Sequence, residues 1–142
     1  MDTVQKLLDT KGYDIWSVGP DASVYEAIEM MATKGCGALL VMDGPKLAGI
    51  ISERDYARKV ILAGRSSKNM NVREIMTSPV LTAAISDTVE QCLSVMTDKR
   101  IRHLPIVDES KVVGMVSIGD LVKVIIAKQE FLIAQLEQYI KQ

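Results

Sequence analysis

Apolar positions along this chain alternate between helical spacing and short continuous runs. Val4, Leu7 and Leu8 share one helical face, predicting a short helix over 3–8 that Lys11-Gly12 would end. Residues 15–18 read as a brief extended segment. Ala27, Ile28, Met31 and Ala32 form a stripe within a helix over 23–34, started by Ser23 with Glu26 three residues on and closed by Gly35. The unbroken run over 38–42 marks a strand buried on both faces. Asp43-Gly44-Pro45-Lys46 is turn chemistry leading to a strand over 47–51, hence a hairpin. Ser52 opens a helix to about residue 62, polar residues 63–71 read as a linker, and 72–76 suits one helical turn before Pro79.

The same order then returns. Residues 80–82 are extended, 88–99 helical, 103–107 a strand, 108–111 a turn and 112–117 a strand, with a helix from Ile118. Gly49-Ile50-Ile51-Ser52-Glu53-Arg54-Asp55 matches Gly114-Met115-Val116-Ser117-Ile118-Gly119-Asp120, an offset of 65 (120 − 55). Without gaps this offset also pairs Val24 with Val89, Met31 with Met96, Leu39 with Leu104 and Ile61 with Ile126. The chain is therefore a duplicated β-α-β-β-α unit of α/β (α+β) class. Two copies fall short of a linear solenoid, so they are expected to pack around a pseudo-twofold axis with clefts between them. The expected division is 1–71, holding an N-terminal helix, the first repeat and the linker, and 72–142, holding the second repeat and an extended C-terminal helix. Ile125, Leu132, Leu136 and Tyr139 continue a stripe beyond the duplication. It either covers the chain's own core or meets a partner helix in a dimer, and its place outside the repeat favours the partner.

At 142 residues, 48% hydrophobic and 25% charged, the chain suits one compact globular domain. A net charge of −1 and 4% aromatic residues argue against nucleic acid as partner. No apolar run is long enough for a membrane span and no signal peptide opens the chain, so a cytoplasmic protein is expected. Cys36 and Cys92 are not repeat-equivalent and read as free thiols. His103 is the single histidine, no metal-ligand spacing occurs, and neither catalytic nor metal residues are assigned.

A serine with an acidic residue three positions later is foremost a helix start. Finding it twice, each time directly after a strand, adds a functional reading. A helix N-terminus favours a phosphate, the serine hydroxyl can join it, and an ionised aspartate accepts from two vicinal hydroxyls such as those of ribose. Lys99-Arg100-Ile101-Arg102-His103, together with Arg54, Arg58, Lys59, Arg65 and Lys68, supplies cations in the neighbourhood. Strand alternation puts Arg102 and His103 on opposite sides.

Taken in order, Val72-Arg73-Glu74-Ile75-Met76-Thr77, Ile101-Arg102-His103-Leu104-Pro105-Ile106-Val107-Asp108 and both Gly-h-h-Ser-x-x-Asp stretches (h apolar) resemble a CBS-domain pair, or Bateman module, over nearly the whole chain. The resemblance implies two adenosine-nucleotide sites between the repeats. Carried over, one would use Ser52, Arg54 and Asp55 with Thr82, Ile101, Arg102, His103 and Pro105. The other would use Ser117 and Asp120 with Ser17, Cys36, Gly37, Ala38 and Leu40. The aspartates would hold ribose hydroxyls, and Arg102, His103 and Arg54 would hold phosphate. Gly37 and Ala38 stand where the second repeat has Arg102 and His103, and Leu40 where it has Pro105, so the sites should differ.

The resemblance also implies a homodimer that regulates a separate, unidentified protein. The leading function is a non-enzymatic sensor of AMP, ATP or ADP. NAD(H) in the same adenosine pocket and S-adenosylmethionine are alternatives, the Arg-His pair favouring an anion. A hydrolase using Asp55 or Asp120 and a ligand-free assembly module are the competing classes.

Overall fold

The computed structural model describes residues 2–141, which cluster into two compact units. One unit is Asp14–Leu81, and the other joins the residues through Tyr13 to those from Thr82 on. In the first, β1 (Ser17–Val18) pairs parallel with β2 (Ala38–Asp43), which pairs antiparallel with β3 (Lys46–Ser52). Helix α2 (Val24–Lys34) lies between β1 and β2 in sequence, and α3 (Glu53–Tyr56) follows β3. In the second, β4 (Ala83–Ala84) pairs parallel with β5 (His103–Asp108), and β5 antiparallel with β6 (Lys111–Ser117). This unit carries α1 (Val4–Lys11), α4 (Val89–Lys99) and α5 (Ile118–Ile140). Both units are thus mixed α/β with a three-stranded sheet, and the β-α-β-β-α order read from the pattern recurs in each.

Local chemistry explains most boundaries. The Ser23 hydroxyl accepts from the Glu26 amide, and Gly35 ends α2 at φ 66°, a left-handed conformation that glycine adopts without cost. Thr88 and Gln91 form a capping box on α4. Four consecutive buried residues, Ala38–Val41 by number 38–41, confirm that β2 is covered on both faces. The two-residue turn between β5 and β6 has positive φ at Glu109 and Ser110, as a tight hairpin needs.

Each unit includes the segment that precedes the other repeat. The Val4 and Gln5 amides donate to the carbonyls of Asp87 and Ile85, and Val89 donates to Asp2. Val4, Leu7 and Leu8 thereby join Val89, Cys92, Met96, Leu104, Ile106, Val116 and Leu121 in one core. The matching bonds in the other unit run from Val72 to Ala22 and from Val24 to Met70, with Val72, Met70 and Ile75 joining Val24, Met31, Leu39, Val41, Ile51 and Val60 in its core.

The first helix runs through residue 8 to Lys11, where Gly12 ends it as expected by donating to Leu8. Several expectations need correction. The helix expected from Ser52 to about residue 62 keeps α geometry only to Tyr56. It then widens to a π-helical turn over Ala57–Ile61, with Leu62 donating back to Ala57 and Val60 fully buried. Residues 63–71 are no plain linker: Ser67–Asn69 make a 3-10 turn and Met70 is core. The extended segment expected at 80–82 forms its strand pairs at Ala83–Ala84 instead, where the β5 register offers partners in Ile106 and Val107.

Beyond Ile126 the apolar residues of α5 are exposed: Phe131, Leu132, Ile133, Leu136, Tyr139 and Ile140, the last two at 77% and 79%. The stripe's first member, Ile125, packs on the unit's core, whereas Leu132, Leu136 and Tyr139 do not cover it. No helix among the described residues is long and apolar enough to cross a membrane.

Candidate functional site

Both Ser-x-x-Asp motifs fold as capping boxes, so the structural reading of the motif holds. The Ser52 amide and hydroxyl donate to Asp55 Oδ2 at 3.0 and 3.1 Å, and the Asp55 amide donates to Ser52 Oγ at 3.2 Å. Ser117 and Asp120 repeat the exchange, at 2.9 Å from the Ser117 amide and 3.1 Å from the Asp120 amide. The antiparallel registers place Ala38 opposite Ser52 and His103 opposite Ser117. They also bring the carbonyls of Gly37 and Arg102 onto the first helical amides, Glu53 at 3.0 Å and Ile118 at 2.9 Å. The expectation of open amides for a phosphate is therefore corrected in part. In each motif, two of the first three helical amides are already engaged within the unit.

What the caps leave is a carboxylate, and each one meets a lysine. Lys59, one helical turn along from Asp55, places Nζ 3.1 Å from Oδ1 and donates to the Ile75 carbonyl at 2.8 Å. Thr77 adds its hydroxyl to the same Oδ1 at 3.3 Å, held there by the backbone bridge between Thr77 and Ile50. Asp55 is the one buried charged residue among those described. In the other unit Lys11 Nζ lies 2.7 Å from Asp120 Oδ2 and 2.7 Å from the Met115 carbonyl oxygen. Burial pushes the Asp120 carboxyl up, but the Lys11 ammonium and the Ser117 donors outweigh it and hold it below its ordinary value.

His103 is half-buried beside this group. Its imidazole is pushed below its ordinary value by burial and by Lys11 and Arg102, against an opposing pull from Asp120. The ring is thus biased toward the neutral form, a hydrogen-bonding group more than a cation.

The remaining predicted residues divide by unit. Ser17, Cys36, Gly37, Ala38, Leu40, Ser52, Arg54 and Asp55 lie in one, and Thr82, Ile101, Arg102, His103, Pro105, Ser117 and Asp120 in the other. Ser17 pairs with Leu40 in the parallel register and is exposed, whereas Leu40 and Pro105 are buried. Arg102 and Thr82 are exposed, and Ile101 packs against its unit's core. Cys36 and Cys92 are free, with burial pushing the Cys92 thiol up to about 11.

Lys11 and Thr77 were missed as site residues, and Lys59, expected only as one of several nearby cations, was not paired with Asp55. Lys59 was readable from its i+4 spacing to Asp55. Lys11 and Thr77 reach their aspartates from 109 and 22 residues away, and no local pattern marks them.

The profile of the family described as "CBS domain" matches residues 8–61 and 72–127. The CBS domain-containing protein CBSX3, mitochondrial, of Arabidopsis thaliana is 37% identical over 149 aligned residues, 98% of this chain and 72% of its own length. A solved protein with CBS domains from Burkholderia ambifaria MC40-6 is 50% identical at a TM-score of 0.86, over 89% of this chain and 96% of that one. The CBS domain pair of protein MJ0100, solved in complex with 5-methylthioadenosine and S-adenosyl-L-methionine, is 26% identical at a TM-score of 0.80, over 90% of this chain and 98% of its own.

Proposed function

This chain belongs to the CBS-domain family as a CBS pair, a regulatory module, and we propose that it senses adenosine nucleotides without transforming them. Ser52, Arg54 and Asp55 serve one nucleotide, and Ser117 and Asp120 the other. The contributions of Thr82, Ile101, Arg102, His103 and Pro105 to the first, and of Ser17, Cys36, Gly37, Ala38 and Leu40 to the second, are part of the proposal. The carrying observation is the pair of capped carboxylates, each preorganised by its serine and each gripped by an ammonium. A carboxylate that already satisfies its helix presents further lone pairs in a fixed direction, which suits the vicinal hydroxyls of a ribose. The adenosine compounds bound by the MJ0100 pair support the same ligand class here. AMP, ADP and ATP are the favoured ligands, because Arg54, Arg102 and the two lysines favour an anion. NAD(H) is the alternative that keeps the adenosine half.

The protein pairs through α5. Val122, Ile125, Leu132, Leu136 and Tyr139 occupy a and d positions of one heptad register, with Gln129 the polar residue at the middle a position. Val122, Leu132, Leu136 and Tyr139 are exposed along that face, a row of apolar side chains that a partner helix would cover. A second copy of the same helix therefore fits it, and sedimentation equilibrium would give a dimer mass.

Thermal unfolding of ligand-stripped protein with AMP, ADP, ATP, NAD, NADH and S-adenosylmethionine tests the sensor reading. A ligand at about 100 times its Kd adds roughly 2.7 kcal/mol, and so about 5–10 °C for a chain of this size. Incubated nucleotide should be recovered intact. No shift with any compound would leave the motifs as helix caps and favour an assembly module.

A further inference from the structure

We propose that Lys11 sets the specificity of the Asp120 site, making it select anionic nucleotides over neutral or cationic adenosine compounds. This rests on the reading of Asp120 as a ribose carboxylate.

The ammonium of Lys11 lies 2.7 Å from Asp120 Oδ2, the carboxylate that a ribose diol would engage on this reading. A ribose must displace or share it. The helix that carries Lys11 does not need to move, since Val4 and Leu8 are fully buried and fix its backbone. Only the side chain, 41% exposed, has to swing. Swinging away costs the ammonium its charge-assisted bonds to Asp120 and to the Met115 carbonyl, a loss that a new anionic partner offsets and a neutral one does not.

A cavity of about 350 Å³ opens between α1 and the first turns of α5, and Lys6, Lys11, Lys123 and Asp120 all line it beside Leu7 and Val124. Three lysines and two aspartates, Asp2 and Asp120, thus line one pocket, with Lys6 already 3.7 Å from Asp2 Oδ1, which leaves the lining one positive charge in excess. A ligand that brings phosphate with its ribose offers Lys11 a new partner there. A neutral nucleoside offers none, and S-adenosylmethionine, with a net positive charge, enters a lining that already has an excess of lysines over aspartates.

The pairing is not a by-product of the duplication. At the offset of 65, Lys11 corresponds to Met76 (11 + 65) and Lys59 to Val124 (59 + 65). The two equivalent aspartates have thus acquired lysines from non-equivalent places, one from its own helix and one from α1.

Calorimetric titration of ADP, adenosine and S-adenosylmethionine into the Asp55→Asn protein isolates the Asp120 site. With Lys11 present, ADP should bind at least about tenfold tighter than adenosine, and S-adenosylmethionine most weakly. Lys11→Met should cut the ADP-to-adenosine ratio about tenfold, chiefly by tightening adenosine, while Lys11→Arg should retain the preference. An unchanged ratio in Lys11→Met, with ADP binding still abolished by Asp120→Asn, would overturn the role of Lys11 alone. ADP binding that is absent, or indifferent to Asp120→Asn, would overturn the site reading and the inference with it. Lys11→Gln serves as the second variant should Lys11→Met fail to fold.

Discussion

Lys11 and Asp120 are 109 residues apart in the chain and 2.7 Å apart in the folded protein. Their contact ties the helix before the first repeat to the motif that ends the second sheet. It neutralises a half-buried carboxylate and holds its pKa down.

A stability difference with a defined pH range follows. A carboxyl whose folded pKa is depressed contributes stability above its unfolded value of about 3.9, and loses it as pH falls through the lower folded value. Lys11→Met should therefore cost about 0.5–1 kcal/mol at pH 7, the low range reflecting solvent screening of a lysine 41% exposed. The gap between the two proteins in urea unfolding should close as pH drops below about 4. A gap that stays constant down to pH 3 would contradict the linkage.

Because His103 is the single histidine, one imidazole resonance reports on this cluster. Its NMR titration midpoint should lie below the ordinary value of about 6.5, as burial and the Lys11 charge require. Lys11→Met should raise it. Since the folded ring resists protonation, stability falls as pH drops from the unfolded value toward the folded one. A midpoint at or above 6.5, or one unmoved by Lys11→Met, would refute the placement.

How much of this was legible in the sequence varies with the range of the interaction. The caps at Ser23, Ser52 and Ser117 were readable because both partners lie within three residues. The buried strands were readable as apolar runs. The two-residue strands were not, since Ala83–Ala84 is a strand only through pairing with Ile106 and Val107. Nor was the exchange of leading segments: the apolar face of α1 shows that it packs, but not onto which repeat. Lys11 looked like a helix end, and so it is. Its partner lies on another element, and the serine hydroxyls, expected to meet a phosphate, are engaged in the capping that the motif also predicts.

Gly114 and Gly49 are repeat-equivalent, and each marks a close approach. A Cβ on Gly114 would lie 3.0 Å from both Leu8 methyl carbons, and one on Gly49 would lie 2.6 Å from Met76 Sδ and 3.0 Å from the Thr77 carbonyl oxygen. Gly114→Ala should destabilise the protein by about 1–3 kcal/mol through overpacking. Trimming the neighbour in Gly114→Ala/Leu8→Val should recover part of that loss. Gly49→Ala should cost at least as much, because backbone as well as a flexible side chain stands in the way. Urea midpoints read both, and full stability in Gly114→Ala would show that α1 is not docked on β6.

The central claim is that the two capped aspartates hold a nucleotide, and the heat of AMP binding to Asp55→Asn/Asp120→Asn tests it most directly. The aspartate-to-asparagine change keeps shape and capping geometry while removing the charge, and urea unfolding confirms that the fold survives. Titration of ligand-stripped wild-type protein should give saturable binding, each single variant should weaken or lose one component, and the double variant should bind at least about 100-fold more weakly. Binding in the double variant equal to that of the wild type would contradict the account, leaving Ser52–Asp55 and Ser117–Asp120 as helix caps alone.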